Sequence, residues 1–219
     1  MKLNRRPLVT AIARSQKFHK RGQKLNRTIK FVWLLAALVF AANPGFAHVG
    51  QDLGGLAAGL LHPISGLDHI AAMVAVGLWG GILGAPAIWL LPIIFPLAMA
   101  VAGAAGAAGI PLPGVEVGIA LSGVVLGSMV LFAVKPPLWI AAVLVGIFAV
   151  FHGHAHGAEL PAAANPMVYA VGFVVSTGLL HLIGIAIGQL GKWPTGKIVV
   201  RAAGAAIAIA GGAFLTGLA

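Results

Sequence analysis

Six apolar segments follow one another between Leu53 and Leu218; the first is long and interrupted by HPISG, and the other five are close to the roughly 20 residues needed to cross a hydrocarbon layer. Lipid offers the backbone no hydrogen-bond partner, so a segment of that length must satisfy its own amides, as a helix does. Only 8% of the 219 residues are charged, against about 25% in a soluble domain. The sequence therefore predicts an all-α fold, a polytopic membrane helix bundle with six transmembrane helices. Gly and Pro punctuate the segments, which run from about Leu53 to Leu83, Ala87 to Ala108, Val115 to Val134, Leu138 to His156, Pro166 to Leu190 and Lys197 to Leu218. Small-residue spacings at Gly55/Gly59, Gly77/Gly81, Gly123/Gly127 and Gly184/Gly188 suit close helix packing.

A leader is expected ahead of this domain. Ten of the fourteen Lys and Arg lie in residues 1–30. The apolar run Phe31–Ala42 comes next, and Asn43-Pro44-Gly45-Phe46-Ala47 then breaks it. This is the layout of a secretory signal peptide cleaved after Ala47, with an uncleaved anchor as the rival. The domains are thus a leader over 1–47 and a transmembrane domain over 48–219. Cleavage would leave His48 at the new N-terminus, where its amine and imidazole can chelate a metal. From His48 onward four bases balance four acids, so a nucleic-acid partner is not expected. With the mature N-terminus in the periplasm, six spans put Lys135, Lys192, Lys197 and Arg201 on the cytoplasmic side of a bacterial inner membrane, as the positive-inside bias requires. The chain has no Cys, which excludes disulfides, thiolate metal sites and CxxCH haem attachment. No GxxxxGK[ST] sequence is present, so no nucleotide is expected.

Against this apolar background two polar knots stand out, His62-Pro63-Ile64-Ser65-Gly66-Leu67-Asp68-His69 and Phe151-His152-Gly153-His154-Ala155-His156-Gly157-Ala158-Glu159. A charged group at bilayer depth costs roughly 2.5 kcal/mol or more. Such groups persist where they face one another, a cavity or an ion, and His with carboxylate is a ligand set for a borderline divalent metal. His62 and His69 would be nearly eclipsed on a straight helix. Pro63 and Gly66, however, predict a broken one whose freed carbonyls help bind a cation. On an unbroken helix Asp68 points about 100° from His69 and serves a neighbouring face or orients a ligand. His152, His156 and Glu159 fall at i, i+4 and i+7, a stripe able to grip one ion.

Further candidates each carry two readings. His154 is a residue of the mouth or of a floppy tract. Met73 is core or a soft thioether ligand. Glu116 complements a helix dipole or is an anionic ligand at the mouth. His181, four residues after Thr177, is a packing residue or an inner relay. The candidate metal set is therefore His62, Asp68, His69, Glu116, His152, His156 and Glu159, with His48, Met73, His154 and His181 as further metal or relay positions. No catalytic residue is assigned.

The segment HPISGLDHIAAMVAVG resembles the HPxxGxDHxxxMxxxG signature of the HupE/UreJ family. FHGHAHGAE resembles that family's second histidine motif, and STGLLHLIG its fifth-span pattern. The resemblance implies a secondary transporter, not an enzyme. Its transported substrate would be Ni2+, or Co2+ in some members, with an indirect link to hydrogenase or urease maturation. It carries metal roles to His62, Asp68, His69, His156, Glu159 and Glu116. The expected path meets Glu116, His156 and Glu159 at the outer mouth and then an inner site of His62, Asp68 and His69. Three rivals stay open at this point: an intramembrane metal-dependent hydrolase, a bis-histidine haem carrier and a non-transporting accessory membrane subunit.

Overall fold

The computed structural model describes residues 55–160 and 165–218. The leader, its expected cleavage site and His48 lie outside the described residues. Among the described residues every regular element is helical. The helices are α1 (Gly55–Ser65), α2 (Leu67–Leu83), α3 (Ala87–Ala107), α4 (Val115–Leu131), α5 (Leu138–Ala158), α6 (Pro166–Gln189) and α7 (Pro194–Thr216), with a 3-10 turn at Leu190–Lys192.

Local chemistry sets the boundaries. Pro63 lies inside the last turn of α1, and the chain breaks at Gly66, which is extended at φ −105° and ψ 126°. The axes of α1 and α2 meet there at 81°. Gly114 precedes α4 at φ 72°, a left-handed conformation that glycine adopts without steric cost. The Asn165 side chain accepts from the backbone N–H groups of Met167 and Val168 at 3.0 and 3.2 Å and so caps α6, with Pro166 at a first-turn position that has no N–H to satisfy.

Four helical stretches, α3, α5, α6 with its 3-10 extension, and α7, are long and apolar enough to cross a membrane. The bent pair α1–α2 makes a fifth if it is one span. At 17 residues, α4 sits at the lower limit of about 17. Length and composition therefore support four to five spans where the sequence suggested six.

Glycines set which helices touch. A Cβ on Gly77 of α2 would meet the His181 carbonyl of α6, and one on Gly184 would meet the Val74 carbonyl. Gly153 and Gly157 of α5 lie against the backbones of Met99 and Gly103 of α3, and Gly123 and Gly127 of α4 against Gly211 and Ala208 of α7. Matched pairs also give direction. Gly55 and Gly59 of α1 face Asn165 and Tyr169, while Gly77 and Gly81 of α2 face Gly184 and Gly188. Both pieces of the broken helix thus advance along α6 in the same direction. By the same registers α3 runs parallel to α5, and α4 antiparallel to α7. Lys135, Lys192, Lys197 and Arg201 consequently share one end of the bundle, and Glu116, His154 and Glu159 the other.

The buried core joins Met73, Val76, Leu78 and Trp79 of α2 to Leu91 and Phe95 of α3, Leu126 and Val130 of α4, and Val145 of α5. Trp79 donates its indole N–H to the Val134 carbonyl at 2.9 Å, which ties α2 to the turn after α4. The outer surface is as apolar as the inside. Val101 is 76% exposed, Met167 75% and Ile209 73%, continuous apolar cover of the kind that marks a membrane or protein contact.

Candidate metal site

Gly66 allows the chain to fold back on itself at the break. A Cβ there would stand 2.7 Å from both Asp68 Oδ1 and His69 Nδ1. Asp68 Oδ1 accepts from the His69 backbone N–H at 2.9 Å and from His69 Nδ1–H at 2.8 Å. A carboxylate only accepts, so a neutral His69 carries its proton on Nδ1 and keeps the Nε2 lone pair free. Asp68 therefore orients His69, as carboxylates do behind metal-ligating histidines, and it joins neither of the ion-sized groups described below. Two carbonyls near the break accept hydrogen bonds. His62 O accepts from Ser65 Oγ at 2.7 Å and Gly66 O from Ile70 N at 3.0 Å.

Helix α5 brings His152 and His156, one turn apart, to face His69. Both are buried, at 0% and 5% exposure. The Ser122 hydroxyl of α4 has one proton, which it gives to the Ile119 carbonyl at 2.6 Å. Its contact with His152 Nε2 at 2.9 Å must therefore be one in which Nε2–H donates and Ser122 accepts. That leaves Nδ1 of His152 as the lone-pair nitrogen. Two partners on two different helices thus set two tautomers.

The three rings converge. One ligand atom each from His69, His152 and His156 lie within 4.8 Å of one another. The His69 centroid is 4.4 Å from that of His156 and 5.1 Å from that of His152. His69 Nε2, His152 Nδ1 and both nitrogens of His156 are buried without a hydrogen-bond partner. A buried polar atom left unmet costs about 1–3 kcal/mol, and lone pairs gathered around one point have the arrangement an ion requires. Two nitrogens bound to one ion at about 2.1 Å stand at most about 4.2 Å apart, so small ring shifts complete the set.

A second group shares His156. Ligand atoms of His62, His156 and Glu159 also lie within 4.8 Å of one another, and His62 Nε2 is 3.3 Å from Glu159 Oε2. Glu159, just past the end of α5, is largely exposed, and its hydrogen bond to His62 holds its carboxyl below the usual carboxylate range. The structure therefore interleaves the two motifs, where the sequence suggested an outer set followed by an inner set. The cause is the bend, which swings His62 toward the C-terminal end of α5 while His69 stays deeper.

Aromatic rings close the site. Phe173 lies 4.4 Å from His156 and Tyr169 5.9 Å from His62, both centroid to centroid. Phe95 lies 5.6 Å from His152. The other sequence candidates fall elsewhere. Glu116 is exposed in the first turn of α4 and belongs to neither group. His154 Nε2–H donates to the Ile110 carbonyl at 2.6 Å, away from the cluster. Met73 is fully buried core. His181 is buried on α6 beside Phe95. Ser122 was not legible in the sequence, because a serine in an apolar helix usually bonds only its own backbone, as Ser128 does to the Val124 carbonyl at 2.6 Å.

A family model described as HupE / UreJ protein matches residues 35–214. Protein HupE of Rhizobium leguminosarum bv. viciae is 48% identical over 188 residues, which cover 86% of this chain and 98% of that one. No solved structure matches the chain.

Proposed function

The chain belongs to the HupE/UreJ family, and on that premise we propose that it imports a divalent transition metal across the bacterial inner membrane as a secondary transporter. Ni2+ is the transported substrate and Co2+ the alternative cargo. The family is generally one of nickel/cobalt permease-like transporters and is not a family of enzymes. The observation that carries the reading is the convergence of His69, His152 and His156 with their buried nitrogens unmet. Imidazole suits nickel and its first-row neighbours, and a site without thiolate matches that choice.

Six spans follow if α1–α2 counts as one broken span, which its steady advance along α6 supports, and if α4 crosses at its 17 residues. On this count the end carrying Lys135, Lys192, Lys197 and Arg201 faces the cytoplasm. The end carrying Glu116 and Glu159 faces the periplasm, with residues 1–47 as the signal peptide. An arriving ion exchanges water for Glu159 and His62. It then passes to His69 and His152 by way of His156, which belongs to both groups. A shared ligand lets the ion keep one protein bond throughout the exchange. The membrane potential favours inward movement by about 2.3 kcal/mol per charge per 100 mV, so a divalent cation needs no nucleotide. The imported ion would serve hydrogenase or urease maturation indirectly.

The test is Ni2+ uptake into liposomes containing the purified chain. His156→Ala should abolish uptake and binding together, since it removes a ligand from both groups. Normal uptake by that variant would defeat the proposal.

A further inference from the structure

We propose that Thr177 and His181 form a second, deeper station for the same divalent cation, and that the Phe95 ring is the barrier an ion must displace to reach it from the three-imidazole cluster; this rests on the transport reading above. Tyr169, Phe173, Thr177 and His181 lie four residues apart on α6, and all four are buried. The first two wall the cluster, at His62 and His156 respectively. The stripe then continues about 12 Å past Phe173 to His181, at about 1.5 Å per residue.

The deeper half of the stripe has no internal use for its polar atoms. Thr177 is 0% exposed and His181 1%, and neither Thr177 Oγ1 nor either nitrogen of His181 has a hydrogen-bond partner. A threonine inside a helix commonly returns its hydroxyl to a carbonyl four residues back, as Thr216 does to Gly212 at 3.0 Å. Thr177 does not. A neutral imidazole keeps one lone pair in either tautomer, so His181 always presents an unmet ligand nitrogen. A histidine placed only for packing would bond through at least one of its nitrogens.

Phe95 of α3, itself fully buried, packs against both stations. Its centroid is 5.6 Å from that of His152 and 5.5 Å from that of His181, edge to face at 89° with the latter. The one ring therefore touches the last imidazole of the cluster and the next one along the proposed path. A phenyl ring supplies no ligand atom, yet its face attracts a cation. His181 also borders an apolar groove of about 310 Å³ lined by Trp89, Pro92, Leu179 and Leu182 among others.

Ni2+ flux into liposomes and Ni2+ binding to the purified full chain test this together, with Co2+ absorption reporting the ligand set of the bound ion. His181→Gln should bind Ni2+ within about threefold of the unsubstituted chain, leave the Co2+ spectrum unchanged and transport about tenfold more slowly or worse. Thr177→Val, nearly isosteric, should slow transport in the same sense and keeps the test open if His181→Gln fails to accumulate. Phe95→Ala should raise flux about twofold or more with binding unchanged. Unimpaired flux in both α6 variants, or a lost binding signal in His181→Gln, would overturn the second station. Unchanged or reduced flux in Phe95→Ala would overturn the barrier. Failure of the transport reading itself is separately visible, as wild-type flux in His156→Ala.

Discussion

Replacing Ser122 by Ala tests the orientation of the site without touching a ligand. In the native arrangement the Ser122 hydroxyl is fully buried and accepts from His152 Nε2–H at 2.9 Å while donating to the Ile119 carbonyl at 2.6 Å. Alanine removes the acceptor and leaves the buried Nε2–H unmet. The unmet donor costs about 1–3 kcal/mol. The ring can recover part of this by moving its proton to Nδ1 or by rotating, and either change withdraws the Nδ1 lone pair from His69 and His156. The expected result is Ni2+ binding weakened by about 10- to 100-fold, equivalent to about 1.4–2.8 kcal/mol. Titration calorimetry of Ni2+ into the detergent-purified chain measures it. Ser128→Ala is the control, since Ser128 lies on the same helix and returns its hydroxyl to Val124 with no histidine attached; its affinity should match the unsubstituted chain. Ser122→Ala binding within about twofold, with His152→Ala inactive, would refute the tautomer argument, because His152 would then bind without its partner.

Four other outcomes follow from the same geometry. Gly66→Ala drives a methyl into the Asp68–His69 pair, so it should lower Ni2+ affinity by roughly the 10- to 100-fold expected of a displaced orienting group, and a calorimetric titration checks it. Uptake should fall as the medium is made strongly acidic, read as Ni2+ flux against pH, because a protonated ring has no lone pair for the ion. Glu159, held below its usual range by its hydrogen bond to His62, stays anionic at pH values where a free carboxyl would already be protonated. Glu159→Gln should accordingly leave the acid midpoint of uptake in place while raising the half-saturating Ni2+ concentration. Gly77→Ala presses against the His181 carbonyl across the α2–α6 contact. It should destabilise the fold by about 1–3 kcal/mol, read as a lower thermal midpoint in detergent.

Much of the bundle and part of the site were legible from residue order. Apolar length marked out the helices, and glycine spacing named the contact faces: the pairs Gly77/Gly81 and Gly184/Gly188, spotted separately in sequence, turn out to face each other. Pro63 and Gly66 announced a break because one lacks an N–H and the other lacks a Cβ. The histidines were visible because imidazoles are rare in lipid-facing sequence. Their grouping was not visible. The three imidazoles of the cluster come from α2 and α5, more than 80 residues apart, and an apolar helix carries almost no record of which neighbour it will face.

Composition and periodicity thus determined that this chain is helical, suited to a membrane and equipped with borderline metal ligands, since these follow from single residues and local spacing. Tertiary structure decided that Asp68 and Ser122 orient the histidines, that His156 is common to two side-chain groups of ion size, that Glu116 stands apart and that Phe95 packs against both His152 and His181. Each of these depends on an angle or a distance between helices. The 81° turn at Gly66 and the close backbone contacts at the glycines set those quantities, and no local pattern encodes them.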